Sequence, residues 1–215
     1  MASKKGTSSF AIFFVLLIIA FISVTVWMLK SGLETRKASL EDTINYLKSE
    51  YEFARLTINS KNSSSISFTM TLLNVNGNVA AKKDYELPGN DIFLESAIIV
   101  MSSPDKERAL VFPKRLYSEL LPPDQGLAIT SLYDDNGFPG IYSSKDLTPE
   151  LSSVIRKIYQ LSQTAKEDSP DWKDQSVKIA LNMEASLHQT RGYEPGKTYS
   201  CVVHPNGGME LLEMK

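Results

Sequence analysis

ISFTMTLLNVNGNVAAKKDYEL, residues 66–87, is the stretch on which the fold of this chain turns. Residues 66–75 are rich in β-branched and apolar side chains. Asn76-Gly77 supplies a two-residue hairpin signal, and residues 79–87 return as a second strand. Pro88-Gly89 then breaks the chain. Residues 91–101 form the most apolar strand candidate and read as buried on both faces, which places them centrally in a sheet. Residues 109–112 continue the sheet after a charged turn.

Further along, residues 114–121 predict a short helix stopped by Pro122-Pro123, with Gly126 just beyond. Residues 127–133 predict a strand and residues 134–140 (DDNGFPG) a loop. Thr148-Pro149-Glu150 is a helix start, with a capping hydroxyl, proline at the first position and an acid on the positive end of the helix. That helix should run to about Lys166 on a buried stripe of Leu151, Val154, Ile155, Ile158, Tyr159 and Leu161. Val177, Ile179, Leu181, Met183, Ala185 and Leu187 alternate with residues of mostly polar type, as in a strand with one wet face. A last hairpin is expected over 198–203 and 209–212, around Asn206-Gly207-Gly208. Residues 66–215 thus read as an α+β domain, a mainly antiparallel sheet of about seven strands with one long and one short helix.

Towards the N-terminus the text changes twice. Residues 59–65 (NSKNSSS) have the composition of a linker. Before them, Leu40, Ile44, Leu47, Tyr51, Ala54 and Ile58 are spaced by fours and threes, the a/d repeat of a coiled coil. Leu33 extends the series, while Lys37 interrupts it. Residues 30–58 are therefore expected to be an amphipathic helical stalk, which either self-associates into a homo-oligomer or lays the same stripe on its own domain.

Residues 10–29 read FAIFFVLLIIAFISVTVWML, without a charge. Twenty residues at about 1.5 Å rise cross a ~30 Å hydrocarbon layer as a helix. The run is longer than that of a signal peptide, and Trp27-Met28-Leu29-Lys30 offers no small-residue cleavage site. A transmembrane helix anchored in membrane lipid is the expectation, with residues 1–9 as a short cytoplasmic N-terminus and the domain outside the cytoplasm.

Charge supports that division. The whole chain carries −2, but its first thirty residues hold Lys4, Lys5 and Lys30 and no acid, so the remainder is acidic. An acidic domain lacks the footprint by which proteins neutralise phosphates, which argues against nucleic acid. Cys201 is the only cysteine, so no intrachain disulfide forms.

Chemistry-bearing residues are few. Cys201 and His204 are three apart, which on a strand sends them to opposite faces; His188 is the other histidine. A zinc site needs three or four ligands at workable spacing, and no such pattern occurs. Asp134-Asp135-Asn136-Gly137 resembles part of a calcium loop but reads better as a turn, lacking the alternate ligands and the late glutamate. No cofactor motif, metal site or catalytic residue is assigned. The tract from Phe112 to Gly126 is either a short packed helix between breakers or the lining of a binding surface. Asp91, Glu95, Asp134 and Asp135 are the carboxylates a hydrolase would draw on, if the fold brought two of them together.

The segments 87–89, 97–100, 112–126, Gly196-Lys197-Thr198-Tyr199 and Asn206-Gly207-Gly208 resemble an uncharacterised family of bacterial single-pass membrane proteins with an extracytoplasmic α+β domain. That resemblance implies topology, and it brings no activity or site residue with it. The order of basic leader, apolar helix, amphipathic helix and sheet is also similar to type IV pilins and pseudopilins, with Lys4-Lys5-Gly6 in the place of the leader cleavage site. Counting from Thr7, however, the fifth residue is Ala11, where that family carries glutamate. The functions in view are a non-enzymatic binding or assembly module working with an unknown envelope protein, a tethered carboxylate-dependent hydrolase, and a pilin-like structural subunit.

Overall fold

The computed structural model describes residues 41–103, 105–164, 178–187 and 192–215. The expected N-terminal tail (1–9), transmembrane helix (10–29) and first part of the stalk (30–40) lie outside the described residues, as do Val177 and His188. No helix among the described residues is long and apolar enough to cross a membrane.

Residues 41–46 are helical (α1). The chain then becomes extended, and β1 spans Tyr51–Lys61. The helix expected over 30–58 is therefore corrected from Tyr51 onward. Tyr51, Ala54 and Ile58 fit a heptad, but Phe53 and Leu56 between them are equally buried. A bulge between Glu52 and Ala54 turns Phe53 and Ala54 both inward. From there Ala54, Leu56 and Ile58 alternate with Arg55 and Thr57, and aromatic and β-branched side chains of this kind suit a pleated surface. Ile44 and Leu47 join the same apolar core, so this part of the stripe docks on its own domain. The expected linker is corrected too. Asn59 to Lys61 finish β1, and Asn62 turns the chain, its Oδ1 accepting from the N–H groups of Ser64 (2.8 Å) and Ser65 (2.9 Å).

The hairpin of residues 66–87 forms as read. β2 (Ser65–Leu73) and β3 (Val79–Pro88) pair antiparallel, with Gly77 at φ +83° in the turn. Next come β4 (Phe93–Ser103) and β5 (Lys106–Tyr117). Residues 118–121 of the expected short helix 114–121 bend away from the strand, while β5 absorbs residues 114–117. Cross-strand pairing keeps them extended: Arg115 lies opposite Glu95 and forms an ion pair with it (3.1 Å), and Tyr117 stacks on Phe93 at 5.0 Å. After a 3-10 turn at Pro123–Gln125, β6 keeps only Leu127–Ala128 of the expected strand, and Thr130–Leu132 coil into another 3-10 turn. The expected loop 134–140 is a two-residue ribbon, β7 (Asp134–Asp135) with β8 (Phe138–Pro139), closed by Asn136 and Gly137 at positive φ. Helix α2 spans Pro149–Thr164 and begins where the capping pattern put it, the Leu151 N–H donating to Thr148 Oγ1 (3.3 Å). β9 (Lys178–Leu187), β10 (Thr198–Val203) and β11 (Met209–Glu213) complete the chain.

These strands form a five-stranded sheet in the order β11-β10-β1-β2-β3, a four-stranded sheet β6-β5-β4-β9, and the β7-β8 ribbon, all antiparallel. The two larger sheets share one apolar core. β4 and β5 are buried on both faces: the consecutive residues Ala97, Ile98 and Ile99 of β4, and Leu110, Val111 and Phe112 of β5, are all fully enclosed. The second covering layer comes from α2 and the segment before it, where Phe112 meets the rings of Tyr142 (5.6 Å) and Tyr159 (5.2 Å).

β5 meets β6 only at Arg115 and Leu116, so its upper edge needs other partners. Tyrosine hydroxyls supply them. Tyr142 accepts from the Val111 N–H (2.6 Å) and donates to the Val111 carbonyl (3.0 Å), and Tyr133 donates to the Pro113 carbonyl (2.7 Å). Tyr51 shares its proton between the Ala109 carbonyl (3.0 Å) and the Tyr142 oxygen (2.8 Å). Burial pushes the Tyr142 and Tyr51 phenols well above their ordinary range, so both remain neutral donors.

Candidate functional site

The outer face of the five-stranded sheet is polar because its strands alternate. Residues opposite one another across an antiparallel pair share a face, so the register defines rows. One row is Lys82, Thr71, Arg55 and Ser200; the next is Asp84, Thr69, Thr57 and Thr198. The second row is hydrogen-bonded in two pairs, with Asn59 joining one of them. Thr57 and Thr198 hydroxyls lie 3.0 Å apart, Asn59 Nδ2 donates to Thr69 Oγ1 (3.1 Å), and Thr69 donates to Asp84 Oδ1 (2.5 Å).

Across these rows runs an open trough of about 720 Å³, a size within the range of ligand sites. Its floor is Thr57, Thr71 and Thr198, its cations are Arg55, Lys82, Lys197 and Lys215, and Val79 and Met214 offer apolar contact. No acid lines it. Glu52 holds Arg55 through two hydrogen bonds (2.8 and 2.6 Å), and Glu213 meets Lys197 at 2.6 Å. Burial alone would raise the Glu52 carboxyl, but hydrogen bonds from Arg55 and Ser200 outweigh it and hold the group below its ordinary value. Among the described residues Lys82 and Lys215 have no carboxylate partner. In a domain whose overall charge is negative, the trough thus presents two unpaired lysines to solvent, while its other two cations are neutralised by Glu52 and Glu213.

The residues singled out in the sequence lie elsewhere. Cys201 is fully buried opposite Ala54, and burial drives its thiol far above the ordinary range, which removes it as a nucleophile. His204 turns to Glu50 (Nδ1, 3.0 Å) and Glu210 (Nε2, 3.3 Å), pinning the approach to β1 against the β10–β11 turn. No metal-binding group of three or more ligands occurs among the described residues. The four carboxylates fall on three separate parts of the fold. Asp91 precedes β4, Glu95 is paired to Arg115, and Asp134 and Asp135 sit on the ribbon. Asp134 accepts from the Gly137 N–H (2.7 Å) and from Tyr159 (3.1 Å), and Asp135 accepts from Asn136 (3.0 Å), so their oxygens serve the turn. The tract from Phe112 to Gly126 buries Phe112 and Leu116 and leaves Leu120 exposed, as strand and turn.

The trough was not singled out from the sequence. Its residues come from four strands and from the residues flanking β10 and β11, and only the pairing register brings them together. The one local sign is threonine at alternate positions, Thr69 and Thr71. Comparison with protein-family models, curated proteins and solved structures gives no match for this chain.

Proposed function

We propose that this chain is a single-pass, membrane-anchored extracytoplasmic module of the bacterial cell envelope, which works by binding rather than by catalysis. Residues 10–29 hold it in lipid, and the outer face of the five-stranded sheet is its binding surface. The observation that carries the binding half is the trough: a hydroxyl floor with cations around it, open to solvent, on the widest sheet of the domain. Such a surface supplies hydrogen bonds and charge without a positioned nucleophile or base. The hydrolase alternative would require two carboxylates placed to share work, and Asp134 and Asp135 are instead committed to their own turn.

Photo-crosslinking tests this in the membrane-embedded full chain. A photoreactive residue replacing Thr71, in the trough floor, should yield a discrete adduct in the native envelope. The same residue replacing Leu120, on an exposed turn away from the trough, should not. Adducts of equal yield at both positions, or none at Thr71, would remove the trough as the working surface.

A further inference from the structure

Resting on that reading, we infer that the trough takes a linear acidic oligosaccharide. The lining residues run from β3 through β2, β1 and β10 to the residues following β11. Four strand spacings of about 4.8 Å give a track on the order of 19 Å, crossing the strands rather than following one. Cations without a carboxylate partner stand at both ends, Lys82 on the outer strand and Lys215 beyond β11, while Arg55 between them is held by Glu52. An elongated ligand with charge spaced along it fits this better than a compact single-charge anion.

The floor distinguishes between kinds of polyanion. The main-chain groups of β10, β1 and β2 are paired on both sides within the sheet. An acidic peptide crossing them gains none of the main-chain hydrogen bonds by which extended peptides are held at sheet edges. Thr71 offers a hydroxyl that donates and accepts, and the Thr57–Thr198 pair, bonded to each other, keeps one O–H and open lone pairs for a ligand, a complement to sugar hydroxyls. Val79 and Met214 meet the apolar C–H faces of the rings, and the lysines meet carboxylates or sulfates.

The peptide-addition route at the open edge is also guarded. Lys83 hangs over the Tyr85 ring (5.2 Å) on the inner face of β3, an inward charge of the kind that blocks edge pairing. That residue provides the control. Lys82→Glu and Lys83→Glu change net charge equally, yet only Lys82 lines the trough.

The test uses the full chain in lipid nanodiscs with three probes: oligogalacturonate, a neutral dextran oligomer and poly-glutamate. Oligogalacturonate should bind saturably, weaken about tenfold or more in Lys82→Glu and in Thr57→Val, and be unaffected by Lys83→Glu; a tenfold change is about 1.4 kcal/mol. Dextran and poly-glutamate should bind at least about tenfold more weakly. Equal losses in both lysine variants would reduce the effect to net charge and overturn the inference. Poly-glutamate bound as tightly as the glycan, with the loss confined to Lys82→Glu, would overturn the glycan assignment while leaving a binding module. Binding of none of the probes, together with no adduct at Thr71, would overturn both.

Discussion

Replacing Tyr142 with phenylalanine removes one oxygen and leaves the packing volume almost unchanged, so the cost comes from hydrogen bonds alone. That oxygen serves the Val111 N–H, the Val111 carbonyl and Tyr51, all in the buried core. Tyr51 keeps the Ala109 carbonyl as a partner, but both Val111 groups are left unpaired on the β5 edge. A buried polar group stripped of its partner costs about 1–3 kcal/mol, which for the two groups gives roughly 2–6 kcal/mol. Against a total of about 5–15 kcal/mol for an ordinary domain, this is a large fraction. Chemical denaturation of the full chain in detergent should show a lowered midpoint with an unchanged slope. Native-state hydrogen exchange should show the Val111 amide losing protection before its neighbours do. Tyr51→Phe should cost less, because Tyr142 still holds Val111, and the double variant should fall short of the sum. A Tyr142→Phe cost under about 0.5 kcal/mol with the Val111 amide still protected would show that the β5 edge does not depend on the phenol.

Other consequences concern the β3–β4 turn and the core thiol. Glu119 accepts from the N–H groups of Asn90 (2.5 Å) and Asp91 (3.0 Å). Burial opposes its ionisation, but these bonds and Lys61 outweigh that and hold the carboxyl below its ordinary value. A carboxyl depressed in the folded state stabilises above its unfolded pKa and loses that stabilisation as pH falls through the folded value. Denaturation across the acid range should therefore show a step that Glu119→Gln removes. Gly89 lies at φ +94°, where an added Cβ would sit 2.5 Å from Glu119 Oε1. Gly89→Ala should cost about 1–3 kcal/mol in thermal or chemical denaturation, and less in a Glu119→Ala background, since part of the cost is displacement of that carboxylate. Cys201 should resist maleimide in the folded protein well above the pH at which free thiols react, and be modified at once in denaturant.

Short-range grammar made part of this fold legible. Asn76-Gly77 and Asn206-Gly207-Gly208 turn the chain where left-handed conformations are required, with Gly77 and Gly207 at φ +83° and +84°. Thr148-Pro149-Glu150 starts α2, and the apolar run 91–101 became the doubly buried β4. The failures share a physical form. In residues 51–58 a single bulge shifts a period of two so that it coincides with a heptad, and the choice is made by the neighbouring strands β10 and β2. In residues 114–117 the proline breakers suggested a helix, while Glu95 and Phe93, far back in the chain, hold the segment extended. The trough is a product of register alone, with no contiguous motif.

Membrane attachment is tested most directly by cysteine accessibility in intact cells, since the native thiol of Cys201 is buried and silent. Two reporters suffice, Ser3→Cys before the apolar run and Leu120→Cys on the exposed turn of the domain. With a membrane-impermeant maleimide, Leu120→Cys should label at once and Ser3→Cys only after the membrane is opened, both proteins staying in the membrane pellet at alkaline pH. Release of a polypeptide lacking its first thirty residues, or labelling in the reverse order, would contradict the proposed tether and orientation.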